Sequence, residues 1–192
     1  MATYIDEYSR LNQDLTGIQR LGWNSPIDQW MRFHALTKMI QQHVGFIPEL
    51  SIHDVGCGFS DLLTHWKSAP PKTYIGSDCL REFVTESKVR HPTADIRLLD
   101  SLKQTPPSVD VSVMCGTLAI HKLPEQIALM EKVMRASKRA VLFTIWTGPS
   151  QGVDWWKKER VRMESVRNGW SLITNSSLYD MSEHMHLLIR PD

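Results

Sequence analysis

The 192-residue sequence predicts an α/β domain wound around a mostly parallel sheet. Strand-like segments alternate with helical ones along the chain, the pattern of α/β winding. The run from Ala140 to Trp146 is β-rich and almost continuously apolar, as a strand covered on both faces must be. A third observation is local: the first predicted strand runs into a glycine hinge, Asp54-Val55-Gly56-Cys57-Gly58, from which a helix departs.

Each element has its own signal. Ser25 and Pro26 form a helix start, Ser at the N-cap and Pro at the first helical position, and Ile27, Trp30, Met31, Phe33, Leu36, Ile40 and Val44 keep helical spacing up to Gly45. Strand one is Leu50 to Val55, and a helix follows from Ser60 to Trp66. Strand two is Thr73 to Ser77, and the helix from Leu80 to Arg90 is stopped by His91-Pro92. Strand three, Ala94 to Leu99, ends at Asp100, and a Pro-containing link leads to strand four, Val109 to Met114. Leu123-Pro124-Glu125 opens a helix with Ile127, Met130, Val133 and Met134 on one face. Strand five is Ala140 to Trp146, a charged helix is predicted over Val153 to Asn168, and two last strands, Trp170 to Thr174 and His184 to Arg190, flank a polar turn close enough for antiparallel pairing. The organisation expected is a helical cap over residues 1–48 leading into one core over 49–192.

The hinge carries the functional argument. Gly56 and Gly58 let the chain turn sharply and bring its backbone close to a ligand. The helix beyond would point free N–H groups at that ligand. Asp78, twenty positions past Gly58, arrives at the end of the neighbouring strand, where a carboxylate can accept hydrogen bonds from both ribose hydroxyls. The dinucleotide pattern G-x-G-x-x-G is not met, because Ser60 and Asp61 follow Phe59. Asp54 and Asp61 would repel a pyrophosphate but suit a ligand bearing an ammonium and a sulfonium.

On these residues the segment Asp54-Val-Gly-Cys-Gly-Phe-Ser-Asp61 resembles motif I of the class I S-adenosylmethionine-dependent methyltransferases, and Ile75-Gly76-Ser77-Asp78 resembles their second motif. Gly22-Trp23 and Gln29-x-x-Arg32 resemble a region preceding motif I in small bacterial and phage members of the class. The resemblance covers roughly residues 20 to 146 and is most specific over 52 to 78. It implies a Rossmann-like seven-stranded methyltransferase sheet in a single domain, mostly parallel with an antiparallel last strand. The implied cofactor is S-adenosyl-L-methionine, with S-adenosyl-L-homocysteine as product.

The same resemblance implies a set of site residues. Asp54, Gly56 and Gly58 would line the methionine half of the cofactor and Asp78 the ribose, and Asp100 falls where the family places an acidic residue near the adenine amine. Cys57, Cys79 and Ser101, beside them, are expected among the cofactor-binding residues. The backbone of Cys115 and Gly116 would receive the ammonium, and Arg32 would pair with the carboxylate. His121 is the candidate general base, since it lies just past strand four and an imidazole is readily poised near neutral pH. Trp146, Trp155 and Trp156 are candidates for a substrate wall or for core packing.

Composition bounds the rest. Lys and Arg number 22 against 21 Asp and Glu, a formal charge of +1, so the chain has no global field for a polyanion. The basic run Lys157-Lys158-Glu159-Arg160-Val161-Arg162 reads as a solvated helix face or a local anionic contact. Three cysteines make no disulfide framework, and their spacing suggests no metal site. With no long apolar segment and no leader-like N-terminus, no membrane association and a cytoplasmic location are expected. The expected activity is methyl transfer to a small-molecule acceptor at oxygen or nitrogen. Nucleic acid, RNA in particular, remains an alternative acceptor, although neither a DPPY-like tetrapeptide nor a Pro-Cys pair is present. A non-catalytic adenosylmethionine-binding module and an aminopropyltransferase also remain open.

Overall fold

A computed structural model describes residues 15–146, 169–175 and 183–191. The longer helices expected from the sequence appear as α1 (Pro26–His43), α3 (Arg81–Arg90) and α4 (Leu123–Ala136), with the short α2 (Asp61–His65) between α1 and α3. The strands are β1 (Ser51–Val55), β2 (Thr73–Asp78), β3 (Asp95–Leu98), β4 (Val109–Met114), β5 (Ser137–Trp146), β6 (Ser171–Asn175) and β7 (Glu183–Ile189). The helix expected over Val153 to Asn168, with Trp155, Trp156 and the basic run, lies outside the described residues.

Helix α1 starts as its sequence dictates: Ser25 Oγ accepts the Asp28 N–H at 3.1 Å and Pro26 takes the first helical position. Its inward face, Phe33, Leu36, Met39 and Ile40, shares a core with Ile52, Val111, Val113, Leu142 and Leu187. On the opposite face, α4 sets Leu129, Met130 and Val133 against Met114, Val141, Phe143 and Leu188. Each such side chain withdrawn from water contributes about 1.5–3 kcal/mol.

The seven strands form one sheet in the order β3-β2-β1-β4-β5-β7-β6. Strands β1 to β5 run parallel, and β7 runs antiparallel to both β5 and β6. Order reverses between β1 and β4, and a crevice opens outside their carboxyl ends. Polar groups pin the β1–β4 register: Asp110 Oδ2 accepts from Ser51 N at 2.8 Å and from Ser51 Oγ at 2.6 Å.

Strand β5 begins three residues earlier than expected, at Ser137 rather than Ala140. The chain passes from α4 into the strand without a loop because Ser137 Oγ donates to Val133 O at 2.7 Å. The exposed Lys138 and Arg139 hide this start from an apolar pattern. Strand β2 continues through Asp78, so that residue ends the strand instead of following it. Helix α2 is a single short turn, five residues against the seven expected, entered through Ser60 at φ 58°. Among the described residues, no helix is long and apolar enough to cross a membrane.

Candidate cofactor and methyl-transfer site

The glycine hinge is anchored to the neighbouring strand, since Gly56 N and Cys57 N both donate to Ser77 O, at 2.8 and 2.9 Å. Gly56 and Gly58 take φ values of 71° and 54°, in the left-handed region. A methyl on Gly56 would stand 2.6 Å from Thr117 Oγ1, whose hydroxyl is held by donation to Val55 O at 2.6 Å. A methyl on Gly58 would meet Leu21 Cδ2 at 2.5 Å. Leu21 is the end of a flexible side chain and can yield, whereas the β-branched Thr117 is tethered. Gly56→Ala is therefore expected to destabilise by ~2 kcal/mol or more, and Gly58→Ala by less. Denaturant unfolding of the two variants measures the difference, and equal losses would contradict the assignment to Thr117.

A cavity of about 430 Å³ opens at the switch point. The twelve residues expected to bind the cofactor or to act as base line it: Arg32, Asp54, Gly56, Cys57, Gly58, Asp78, Cys79, Asp100, Ser101, Cys115, Gly116 and His121. The elements explain the gathering. Asp54 lies at the end of β1 and Gly56, Cys57 and Gly58 follow it, Asp78 ends β2 and Cys79 follows, Asp100 and Ser101 follow β3, and Cys115 and Gly116 follow β4.

Asp78 is buried, and its two oxygens accept the Gly58 N–H at 3.0 Å and the Leu80 N–H at 2.9 Å. Burial raises its pKa to about 6, against the lowering effect of those N–H groups. Asp54 is buried too, accepts the Tyr74 hydroxyl at 2.7 Å, and is pushed up by burial to about 7. Two carboxylates of high intrinsic cost thus face one cavity, a site whose ionisation a bound cation would favour.

Asp61 differs from its expected part. It lines the cavity, but its oxygens accept from Gln29 Nε2 at 2.9 Å and from Arg90 at 3.2 Å, so its charge is already balanced by a cation. Arg32 is held by an ion pair with Asp28 at 3.2 Å and lies 5.1 Å above the Trp23 ring. Gly116, at φ 83°, donates its N–H to Thr144 Oγ1 at 2.9 Å. Burial pushes the Cys79 and Cys115 thiols up to about 12, which leaves them protonated and unreactive at neutral pH. The Trp146 side chain is outside the described set.

Asp100 accepts the Leu102 N–H at 3.1 Å and pairs with Lys103 at 3.1 Å. Ser101 Oγ is buried without a hydrogen-bond partner among the described residues. His121 is buried, with its Nδ1 3.8 Å from Glu125 Oε2. Burial holds its pKa below the ordinary histidine value, while Glu125 and Asp100 act in the other direction.

Sequence reasoning missed Thr117, Thr144 and Tyr74, whose contacts join distant segments, and Glu125, which lies one helical turn from His121. Leu21, Gly22, Trp23 and Asn24 also line the cavity, and Arg20 lies over the Phe83 ring at 5.2 Å while pairing with Glu82 at 3.1 Å. The segment before α1 therefore roofs the glycine hinge.

No protein-family model matches the sequence, and no curated protein matches it. Solved structures do resemble it. Magnesium protoporphyrin IX methyltransferase from Synechocystis, crystallised with adenosylmethionine, superposes with a TM-score of 0.70 at 15% identity, over 99% of this chain and 92% of that one. A Leishmania major adenosylmethionine-dependent methyltransferase gives 0.74 at 10% identity, over 97% and 82%. The N-methyltransferase NodS from Bradyrhizobium japonicum, bound to adenosylhomocysteine, gives 0.69 at 12% identity, over 96% and 98%. Strand order, the hinge at the switch point and these superpositions agree: the chain has the fold of the class I S-adenosylmethionine-dependent methyltransferases.

Proposed function

We propose that this protein is an S-adenosylmethionine-dependent methyltransferase acting on a small-molecule oxygen or nitrogen acceptor. The observation that carries the reading is the convergence of the glycine hinge, the buried Asp78 carboxylate and His121 on one cavity at the β1/β4 switch point. The residues suit the cofactor. Ser101 Oγ supplies a buried polar atom without a protein partner, and Asp54 and Asp78 supply carboxylates fitted to a cation and to vicinal hydroxyls. When bound, adenosylmethionine supplies an electrophilic sulfonium methyl group for in-line displacement.

The chain's own residues then have distinct tasks. Asp78, with Cys79 beside it, would hold the ribose, and Asp100 with Ser101 the adenine. Arg32 and the Cys115–Gly116 backbone would hold the amino-acid end, over a floor made by Asp54 and residues 56–58. His121, neutral at pH 7 because burial disfavours its charged form, would accept the acceptor's proton. The small-molecule assignment is supported by the formal charge of +1, which gives no global field for a polyanion; the structural neighbours include methyltransferases of magnesium protoporphyrin IX and of plantazolicin and the methyltransferase domain of a bacterial Hen1.

Adenosylmethionine and adenosylhomocysteine are each expected to bind with micromolar-scale affinity and to raise the melting temperature, because both favour the folded state. Titration calorimetry with no heat, together with no melting shift at millimolar ligand, would remove the proposal. Incubation of labelled cofactor with a metabolite extract and, in parallel, with RNA identifies the acceptor class. Binding without transfer to either would favour a non-catalytic binding module.

The raised carboxyls add a pH dependence. A carboxyl whose folded pKa exceeds its unfolded value contributes stability that is complete below the unfolded pKa and is lost as pH rises through the folded one. That loss runs from about pH 4 to about 7 for Asp54 and to about 6 for Asp78. A bound cation favours the ionised forms, so the cofactor's melting shift is expected to be larger at pH 7.5 than at pH 5. Thermal melts at both values, with and without adenosylmethionine, measure it, and a larger shift at pH 5 would oppose the assignment of these two carboxylates.

A further inference from the structure

An imidazole acts as a base only through the ring nitrogen that carries no hydrogen, and the partner of the other nitrogen decides which one that is. In this protein Nδ1 of His121 faces Glu125 Oε2 at 3.8 Å. Glu125 sits in the first turn of α4, and the same oxygen accepts the Lys122 N–H at 3.0 Å, so the carboxylate is fixed by the helix start. The backbone under the ring is fixed as well. Gln126 Nε2 donates to His121 O at 2.8 Å and to Leu118 O at 2.9 Å, and His121 N donates to Leu118 O at 3.2 Å. Among the described residues, Asp100 from the loop after β3, which is paired with Lys103, also acts on the ring.

We infer that Glu125 is a positioning residue for His121: its carboxylate takes the Nδ1 hydrogen, selects that tautomer, and leaves Nε2 as the nitrogen that receives the acceptor's proton. The inference rests on His121 being the base of the proposed methyl transfer. The 3.8 Å separation lies beyond hydrogen-bond range by about half an ångström or more, and catalytic contacts of this kind tighten when substrate closes the site. In the step itself the proton leaves the acceptor O–H or N–H for Nε2. The acceptor's electron pair forms the new bond to the methyl carbon, while the carbon–sulfur pair departs with sulfur. Glu125 then faces an imidazolium instead of a neutral ring, and so stabilises the charge that the transfer creates.

Nitrogen-15 NMR of the histidine rings tests this on the whole protein without any acceptor, with His121→Asn used to assign the signal. In the parent protein above its pKa, His121 is expected as the Nδ1–H tautomer. Glu125→Gln retains an acceptor for the Lys122 N–H but removes the charge. It is expected to lower the His121 pKa by about half a unit to one unit. Once an acceptor is known, the same variant is expected to lose about 10–100-fold in kcat with cofactor affinity unchanged, and Glu125→Asp to regain part of the loss. An Nε2–H tautomer in the parent, or a His121 pKa unmoved by Glu125→Gln, overturns the inference, and the first reading stands even if Glu125→Gln folds poorly, because it is made on the parent protein and needs only His121→Asn for assignment. A different result, a full rate in His121→Asn with the expected tautomer and pKa shift, removes the base assignment and leaves the His121–Glu125 pairing standing.

Discussion

Replacing His121 by asparagine is expected to slow methyl transfer by about 10²–10⁴-fold while leaving cofactor affinity nearly unchanged, as the loss of a general base does. The placement supports the size of the effect. His121 follows the 3₁₀ turn Thr117–Ile120 that leaves β4 and lines the same cavity as the carboxylates of Asp54 and Asp78. Burial holds its pKa below the ordinary histidine value, which favours the unprotonated base. The parental rate should therefore fall as pH drops through that lowered pKa, as the ring gains a proton and can no longer accept one, and level off above it. Positioning alone can supply ~7–11 kcal/mol in a methyl transfer without any base. A His121→Asn variant that retains half the parental rate from about pH 6 to 9 would mean that positioning carries the reaction.

The second large effect is expected at Asp78. Asp78→Ala should weaken adenosylmethionine binding by about 1.5–3 kcal/mol, roughly 10- to 150-fold in Kd, the worth of a hydrogen bond to a charged group. The structure gives this residue two tasks. Besides facing the cavity, it accepts the N–H groups of Gly58 and Leu80, and so ties the hinge of β1 to the start of α3. The variant thus loses a ligand acceptor and leaves two backbone donors without their partner. Calorimetry on protein shown folded by circular dichroism gives the affinity. Parental affinity in Asp78→Ala would exclude the ribose role and leave Asp78 as an anchor of the turn.

The parts of the site that were legible in the sequence are those whose geometry is local. Ser25-Pro26 states a helix start because the cap bonds only three residues ahead. Gly56 and Gly58 state a left-handed turn because only the chain's own sterics are involved. Element ends were less legible where polar residues replaced the apolar signal. Lys138 and Arg139 lie on the sheet although their side chains reach solvent, so β5 looked shorter than it is. Asp61 shows the same limit at the level of function. Its acidity beside the hinge suggested a ligand contact, but the partners that balance it, Gln29 and Arg90, lie 32 and 29 residues away.

What the sequence by itself determined is the alternation of strands and helices, the hinge between β1 and α2, and the acid at the end of β2, all set by periodicity and backbone preference over short spans. The tertiary structure alone decided that β4 lies beside β1, that β7 inserts between β5 and β6, that Thr117 and Leu21 press on the two glycines, and that His121 lines the same cavity as Asp54 and Asp78. The physical reason is that strand order and side-chain contact are chosen by the burial of apolar faces across long loops. That choice depends on the whole core at once, and no short stretch of sequence contains it.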